Sequence, residues 1–322
     1  MMNINPVTEN FRRVNYLRIS VTDRCNLRCN YCMPKDGVFL QPHDKILTFE
    51  EIVRLVRIFS SLGVSKVRLT GGEPLLRKGI INLLEQINRI EGIKNICVTT
   101  NGVLLPIYVE QLANAGVNRI NISLDTLKKE RFQTITKNNC FSQIMEGIDK
   151  AKKLNFESIK LNMVTMRGVN DDEIIDFVNF ATRKGLIPRF IEFMKVTPLW
   201  QESFFTPIEE IEAICHREFG LEKIERNNSG PAEYCRFRSG IVGFIKTLQD
   251  NCSICSRLRL TSTGELRSCL YQSQGISLRD LLRRGASDLA LEEVIKNLIV
   301  LKRDVNYTMW ERPKGYMCSV GG

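Results

Sequence analysis

What most constrains this chain is an alternation. From residue 14 to residue 194, short runs of β-type residues take turns with stretches whose apolar residues recur at helical spacing. Strands are expected over 14–21, 66–70, 95–99, 119–123, 158–164 and 188–194, and helices over 49–62, 78–90, 105–115, 141–154 and 171–184. The punctuation agrees. Thr48, with Glu51 three residues on, forms a capping box, and Gly63, Gly116 and Gly185 stand just past helix ends. Such units join parallel strands by right-handed crossovers, so the region predicts six βα units on one parallel sheet. Periodicity leaves two architectures open, a barrel lacking two units or a doubly wound open sheet.

Polar motifs fall at the C-terminal ends of the expected strands, which in parallel α/β folds form the functional rim. They are Cys25-Asn-Leu-Arg-Cys29-Asn-Tyr31-Cys32, Gly71-Gly72-Glu73-Pro74, Thr99-Thr100-Asn101-Gly102 and Ser123-Leu124-Asp125. Three thiols on one short loop can converge on a metal centre, and thiolates suit zinc or an iron–sulfur cluster. A four-iron cluster held by only three of them keeps one iron open. A second triplet follows, Cys252-x2-Cys255-x13-Cys269, for which zinc with Cys235 as fourth ligand is a competing reading. Arg257 and Arg259 lie two apart in a strand-like run, so both face one side, beside Cys255. Arginine is the side chain suited to bidentate phosphate recognition.

Composition narrows the class. Eleven cysteines in 322 residues, six of them in two clusters, do not read as a secreted disulfide framework. No secretory leader and no membrane-length apolar run is visible, so a reducing cytoplasm is expected. The net charge of +10 suggests an anionic partner. Beyond Met194 the texture changes: an aromatic irregular stretch at 200–205, a helix over 207–219, short strand-like runs within 221–266, and helices over 278–284 and 291–300. Cys97, Cys140, Cys215, Cys235 and Cys318 have no ligand-like spacing and read as buried thiols, while Lys128-Lys129 and Arg283-Arg284 read as surface charge. His43 and His216 are isolated, so a histidine-centred mechanism has little support.

The Cys-x3-Cys-x2-Cys loop, with Tyr31 before its last cysteine, closely resembles the radical S-adenosylmethionine (SAM) superfamily, and Gly71-Gly72-Glu73-Pro74 matches that superfamily's second hallmark. Two three-cysteine clusters, with Arg257-Leu258-Arg259 after the second, resemble one family within it, the GTP 3′,8-cyclases of molybdenum cofactor biosynthesis. The likeness runs from Tyr16 to Gly322.

The resemblance implies a partial (βα)6 TIM-type barrel over 1–220, with a C-terminal α+β segment over 221–322 that closes the open side and carries the auxiliary cluster. It implies two [4Fe–4S] clusters, one on Cys25, Cys29 and Cys32 and one on Cys252, Cys255 and Cys269. Tyr31, Gly72, Ser123 and Met194 would contact SAM. Arg18, Arg68, Thr99, Lys160, Arg257, Leu258 and Arg259 would bind GTP, with Arg189 as a further contributor and Arg18, Arg257 and Arg259 catalytic. The implied reaction converts GTP to 3′,8-cyclo-7,8-dihydroguanosine 5′-triphosphate, with Gly321-Gly322 reaching into the site. Implied partners are an electron donor such as flavodoxin or ferredoxin and the downstream cyclic pyranopterin monophosphate synthase. No nucleic acid or membrane is expected, and the resemblance leaves room for a homodimer. Three departures stand out: residues 195–200 are shorter than the family pattern, Lys195 stands where the family usually has a non-basic residue, and Val320 replaces an isoleucine. The alternatives are a radical SAM enzyme acting on a peptide or RNA, and a zinc-containing nucleic-acid-binding protein.

Overall fold

The computed structural model describes residues 14–225, 230–246, 255–272, 274–302 and 316–317. Cys252, Cys318 and Gly321-Gly322 therefore lie outside the described residues. Six parallel strands follow one another in sequence order across the sheet: β1 (Tyr16–Ser20), β2 (Lys66–Thr70), β3 (Asn95–Thr100), β4 (Arg119–Ser123), β5 (Ser158–Thr165) and β6 (Ile187–Glu192). Helices α1 (Phe49–Ser61), α2 (Ile80–Asn88), α3 (Leu105–Asn114), α4 (Lys129–Thr136), α5 (Phe141–Ala151) and α6 (Ile174–Arg183) make the crossovers. Sequential parallel order is what a barrel wall requires; a doubly wound sheet reverses direction midway.

The remaining chain lengthens this wall at both ends. After α7 (Ile208–Phe219) come β7 (Glu222–Lys223), β8 (Glu233–Phe237), β9 (Gly240–Ile245), β10 (Arg257–Leu260), β11 (Glu265–Arg267) and β12 (Ile276–Ser277), then α8 (Leu278–Arg283) and α9 (Asp288–Leu301). Strand β10 joins β1 in parallel and β9 joins β6 in parallel, while β11–β12 and β8–β7 continue outward antiparallel. The wall curls. On β8, the Tyr234 hydroxyl accepts a hydrogen bond from Lys160 Nζ of β5 at 2.8 Å.

Strand parity sorts the side chains. Leu17, Ile19, Val67, Leu69, Val98, Ile120, Ile122, Leu161, Phe190, Phe244, Leu258 and Leu260 are buried in one continuous core beneath the helices. Their strand neighbours point the other way, into the barrel. In register, those inward positions include Tyr16, Arg18, Arg68, Thr99, Asn121, Ser123, Lys160, Asn162, Arg189, Arg257 and Arg259. An ordinary barrel of this kind fills its interior with branched apolar residues. This one lines it with cations, so the hydrophobic free energy of the fold comes from the outer, helix-covered face.

Most element expectations hold, with local corrections. Lys129–Thr136 is a helix that the periodicity did not announce, because its buried residues are only Phe132, Ile135 and Thr136. The helix expected over 171–184 opens as a 3-10 turn at Asp171–Glu173 before α6 begins. Strand β6 ends at Glu192, which leaves Met194 in the following loop. Arg283 is not idle surface charge. It donates to the Glu51 carboxylate (2.7 and 3.1 Å) and to the carbonyls of Asp44 and Ile46, tying α8 to the start of α1. The capping box is present: Thr48 Oγ1 accepts from Glu51 N, and Glu51 accepts from Thr48 N. Among the described residues, no helix is long and apolar enough to cross a membrane.

Candidate active site

The cysteine loop leaves the C-terminal end of β1 and is held from three sides. From α4, the carbonyls of Thr136 and Ile135 accept from Arg28 N (2.9 Å) and Asn30 N (3.0 Å). From the end of β3, the Asn101 amide donates to Asn26 Oδ1 at 2.8 Å and lies 3.7 Å from Cys25 Sγ. From the end of β2, Gly72 N donates to the Thr22 carbonyl and Glu73 N to the Arg24 carbonyl, both at 2.7 Å. This last seam explains one glycine. A Cβ on Gly72 would sit 2.2 Å from the Arg24 carbonyl oxygen, so only glycine lets the two loops lie this close. The glycine thus serves contact between chain segments in addition to any approach by a ligand.

Glu73 is a structural carboxylate. Fully buried, it accepts from Leu75 N (3.1 Å), Thr100 Oγ1 (2.8 Å) and Asn101 N (2.6 Å). Burial nevertheless pushes its pKa up to about 7. Asp125, after β4, accepts from the Tyr31 hydroxyl at 2.7 Å and from Val164 N, and burial raises it to about 6. The Tyr31 ring also meets Phe193 edge-on at 6.4 Å. Tyr31 is thereby fixed at the rim against Asp125, just beyond the end of β4.

Cys25, Cys29 and Cys32 are free thiols, half-buried, as are Cys255 and Cys269. Among the described residues, no three His, Cys, Asp or Glu groups are gathered closely enough to hold a single metal ion. A four-iron cluster is held differently, one thiolate to each iron, and a flexible set of soft donors with no competing carboxylate ligand suits it. Burial raises the Cys25 thiol, and burial together with Asp125 raises Cys29 well above the usual range, so loading iron here releases protons. Cys255 behaves oppositely. Burial alone would raise it, but Arg257, whose Nε lies 3.4 Å from its sulfur, and Lys302 lower it to about 6. The two cations favour its thiolate form, the form that ligates metal. Cys97, Cys140, Cys215 and Cys235 are buried free thiols.

Below the rim the barrel holds its cations. Arg68 donates from Nε to the Tyr16 hydroxyl (2.6 Å) and from Nη1 to Thr99 Oγ1 (3.1 Å). Arg189 grips Asn162 Oδ1 with Nε (2.9 Å) and Nη2 (2.6 Å), and Gly243 leaves room for it beside Tyr234. Burial lowers Arg18 to about 10 and Arg259 to about 9, with the neighbouring arginines adding to both. Burial also lowers Lys160 and Arg189. No carboxylate occupies an inward register of β1–β6, β9 or β10, so the chamber is complementary in charge to a multiply charged anion.

All inward-facing residues expected from the sequence to meet a nucleotide lie on this one surface: Arg18, Arg68, Thr99, Lys160, Arg257 and Arg259, with Arg189. Leu258 faces the other way. Its side chain is fully buried in the helix-side core, so only its main chain is turned to the chamber. Met194 packs with Val196 and Leu270 in a small cluster of its own. Sequence reasoning missed Tyr16, Tyr234 and Asn162, and placed Asn101 on the rim only as part of the Thr99–Gly102 motif. Tyr16 was within reach, since it shares strand parity with Arg18; the others are brought in by distant segments.

Residues 19–181 match the Radical SAM superfamily. Residues 187–308 match the family described as Molybdenum Cofactor Synthesis C. The chain is 43% identical to the GTP 3′,8-cyclase of Thermodesulfovibrio yellowstonii over 98% of its length and 99% of that protein's. It is 44% identical to the GTP 3′,8-cyclase of Syntrophomonas wolfei, over 97% and 98% of the two chains. It is 42% identical to molybdenum cofactor biosynthesis protein 1 of Dictyostelium discoideum over 95% of this chain and 50% of that longer one. In fold it is similar to Streptococcus suis SuiB bound to S-adenosylmethionine, with a TM-score of 0.64 at 16% identity, covering 91% of this chain and 68% of that one.

Proposed function

The chain belongs to the radical SAM superfamily and, within it, to the GTP 3′,8-cyclases, and from that premise we propose that it closes GTP to 3′,8-cyclo-7,8-dihydroguanosine 5′-triphosphate, opening molybdenum cofactor biosynthesis. The observation that carries the reading is the barrel interior. Six buried or half-buried cations, Arg18, Arg68, Lys160, Arg189, Arg257 and Arg259, face one cavity with no carboxylate among them on the strands, below a rim loop with three free thiols.

Cys25, Cys29 and Cys32 would hold a four-iron cluster, which would bind SAM and supply the single electron for radical chemistry. The residues around it fix geometry. Tyr31, locked by Asp125, and Gly72, Ser123 and Met194 would border SAM at the rim. The Gly72 seam and Asn101 hold the cysteine loop against the ends of β2 and β3. Deeper in the barrel, Arg18, Arg68, Lys160, Arg189 and the Arg257–Arg259 pair would neutralise the triphosphate, and burial makes each contact worth more than it would be in water. Thr99 Oγ1 helps aim Arg68. Leu258 would contribute through its main chain. Walls of this kind exclude water, which a reactive organic intermediate requires.

Cys252, Cys255 and Cys269 would hold a second four-iron cluster, which would help anchor the guanine base, and the lowered Cys255 pKa favours ligation there. The reading also includes the division at residue 220, the approach of Gly321-Gly322 to the site, an external one-electron donor of the flavodoxin or ferredoxin type, and product release to a cyclic pyranopterin monophosphate synthase. The test is anaerobic: reconstituted protein with SAM, reductant and GTP should form 5′-deoxyadenosine and a cyclised nucleotide in equal amounts. SAM cleavage without consumption of GTP would assign the chain to another substrate. Cys255→Ser should halve the iron content, from about eight to about four per chain, and abolish cyclisation while leaving slow SAM cleavage. Unchanged iron would remove the second cluster from the reading.

A further inference from the structure

One polar group on the chamber wall has no part in the arrangement above. Asn121 lies on the inward register of β4, level with Thr99 on β3 and Lys160 on β5. Its neighbours Ile120 and Ile122 are fully buried beneath the helices, which directs Asn121 to the opposite face, into the barrel. It is 4% exposed, and its Oδ1 has no hydrogen-bond partner among the described residues. Buried acceptors are seldom left so, because stranding one shifts an equilibrium by roughly ten- to hundredfold. The flanking side chains do not share this property: Thr99 accepts from Arg68, and Lys160 donates to Tyr234.

Position supplies the ligand. Two residues further along the strand, at about 6.6 Å by strand geometry, Ser123 ends β4 at the rim assigned to SAM. On either side stand residues assigned to GTP. In a bound GTP whose 3′ carbon must approach SAM while its phosphates meet the deeper cations, the ribose spans that interval. We propose that Asn121 reads the ribose of GTP, its carboxamide oxygen accepting a hydrogen bond from one hydroxyl of the 2′,3′-diol. The amide NH2 can donate to the other oxygen, so a carboxamide matches a vicinal diol at both ends. Held this way, the sugar cannot turn its 3′ carbon away from the rim, which makes Asn121 a specificity-determining residue for the reaction. The assignment rests on the GTP reading of the preceding subsection.

The test uses anaerobically reconstituted full-length protein titrated with GTP, 2′-deoxy-GTP and 3′-deoxy-GTP, with binding read by calorimetry. The wild type is expected to bind at least one deoxy analogue about ten- to hundredfold more weakly than GTP. In Asn121→Leu, which keeps the branched shape and removes the polar atoms, that ratio should fall to within about twofold, because affinity for GTP drops while affinity for the analogue holds. Asn121→Ser, smaller and with a shorter reach, should lose most of the ratio as well and replaces the leucine variant if the latter does not unfold cooperatively. Wild-type protein that binds all three nucleotides alike, or variants that keep the wild-type ratio, overturn the assignment. A wild type that binds no GTP overturns the functional reading itself, and this assignment with it.

Discussion

Replacing Gly72 by alanine tests the idea that this glycine serves contact between two loops. The added Cβ would lie 2.2 Å from the Arg24 carbonyl oxygen, 2.5 Å from the Arg24 carbonyl carbon and 2.9 Å from the Asp23 carbonyl oxygen. All three are backbone atoms, so no side-chain rotation relieves the clash and the loops must separate. Separation strains or breaks the two 2.7 Å hydrogen bonds that join them, Gly72 N to Thr22 O and Glu73 N to Arg24 O. At about 1 kcal/mol each, these contribute about 2 kcal/mol. Overpacking adds about 1–3 kcal/mol, so the expected loss is about 3–5 kcal/mol. The measurement is urea unfolding of reduced, cluster-free protein, which removes any role of SAM from the outcome. The reconstituted variant should also retain less iron, because Cys25 is one residue from the displaced carbonyl. Destabilisation below about 1 kcal/mol would refute the reasoning, since the glycine would then be needed only by a ligand.

Three further expectations follow from burial and charge. Burial alone would raise the Tyr16 phenol, but Arg68 and Arg18 lower it to about 8, so one tyrosine should ionise there by ultraviolet titration and vanish from the curve in Tyr16→Phe. A depressed pKa stabilises the fold above the ordinary value of 10 and loses that contribution as pH falls through about 8, so the wild type should outgain Tyr16→Phe by roughly 2–3 kcal/mol between those limits. Glu73 runs the other way: burial raises it to about 7, so its contribution is complete below pH 4.5 and lost as pH rises through about 7, and Glu73→Gln should lack that decline. In unfolding experiments the same variant should be less stable by about 1–3 kcal/mol at neutral pH, since its amide NH2 must face either the donor Asn101 N or the donors Leu75 N and Thr100 Oγ1. Arg259→Met should leave nucleotide-free thermal stability level or higher, because Arg259 is a buried cation pressed by Arg18 and Arg257, while weakening GTP binding at least about tenfold; a lower melting temperature with intact binding would refute it.

Much of the site was legible because strand geometry is local. Arg257 and Arg259 share a face by parity alone, and Cys25, Cys29 and Cys32 share a loop by spacing alone. Parity also held an unread signal. Tyr16-Leu17-Arg18-Ile19-Ser20 and Arg119-Ile120-Asn121-Ile122-Ser123 alternate polar with apolar residues, whereas a parallel strand buried in a packed core reads as an apolar run. Alternation on parallel strands announces a wall with one ligand-facing side. Leu258 shows the limit of reading motifs as blocks: it lies between two chamber arginines, yet its side chain belongs to the other face. Helix α4 was missed for a related reason, since eight residues with few apolar positions leave no periodic trace.

The amino-acid sequence alone determined the six βα units, the placement of the motifs on the C-terminal rim and the sign of the charge that the barrel carries. Those follow from propensity, periodicity and spacing, which act over a few residues. Only the tertiary structure decided which faces meet. Joining β10 to β1 and β9 to β6 brings the Arg257–Arg259 pair beside Arg18 and carries Tyr234 to Lys160, positions separated by 74 residues or more. Sheet register and curl are collective, set by how every strand packs against its neighbours and the helices outside. They turn scattered arginines into one chamber, and leave Asn121 facing into it with an acceptor unmet among the described residues.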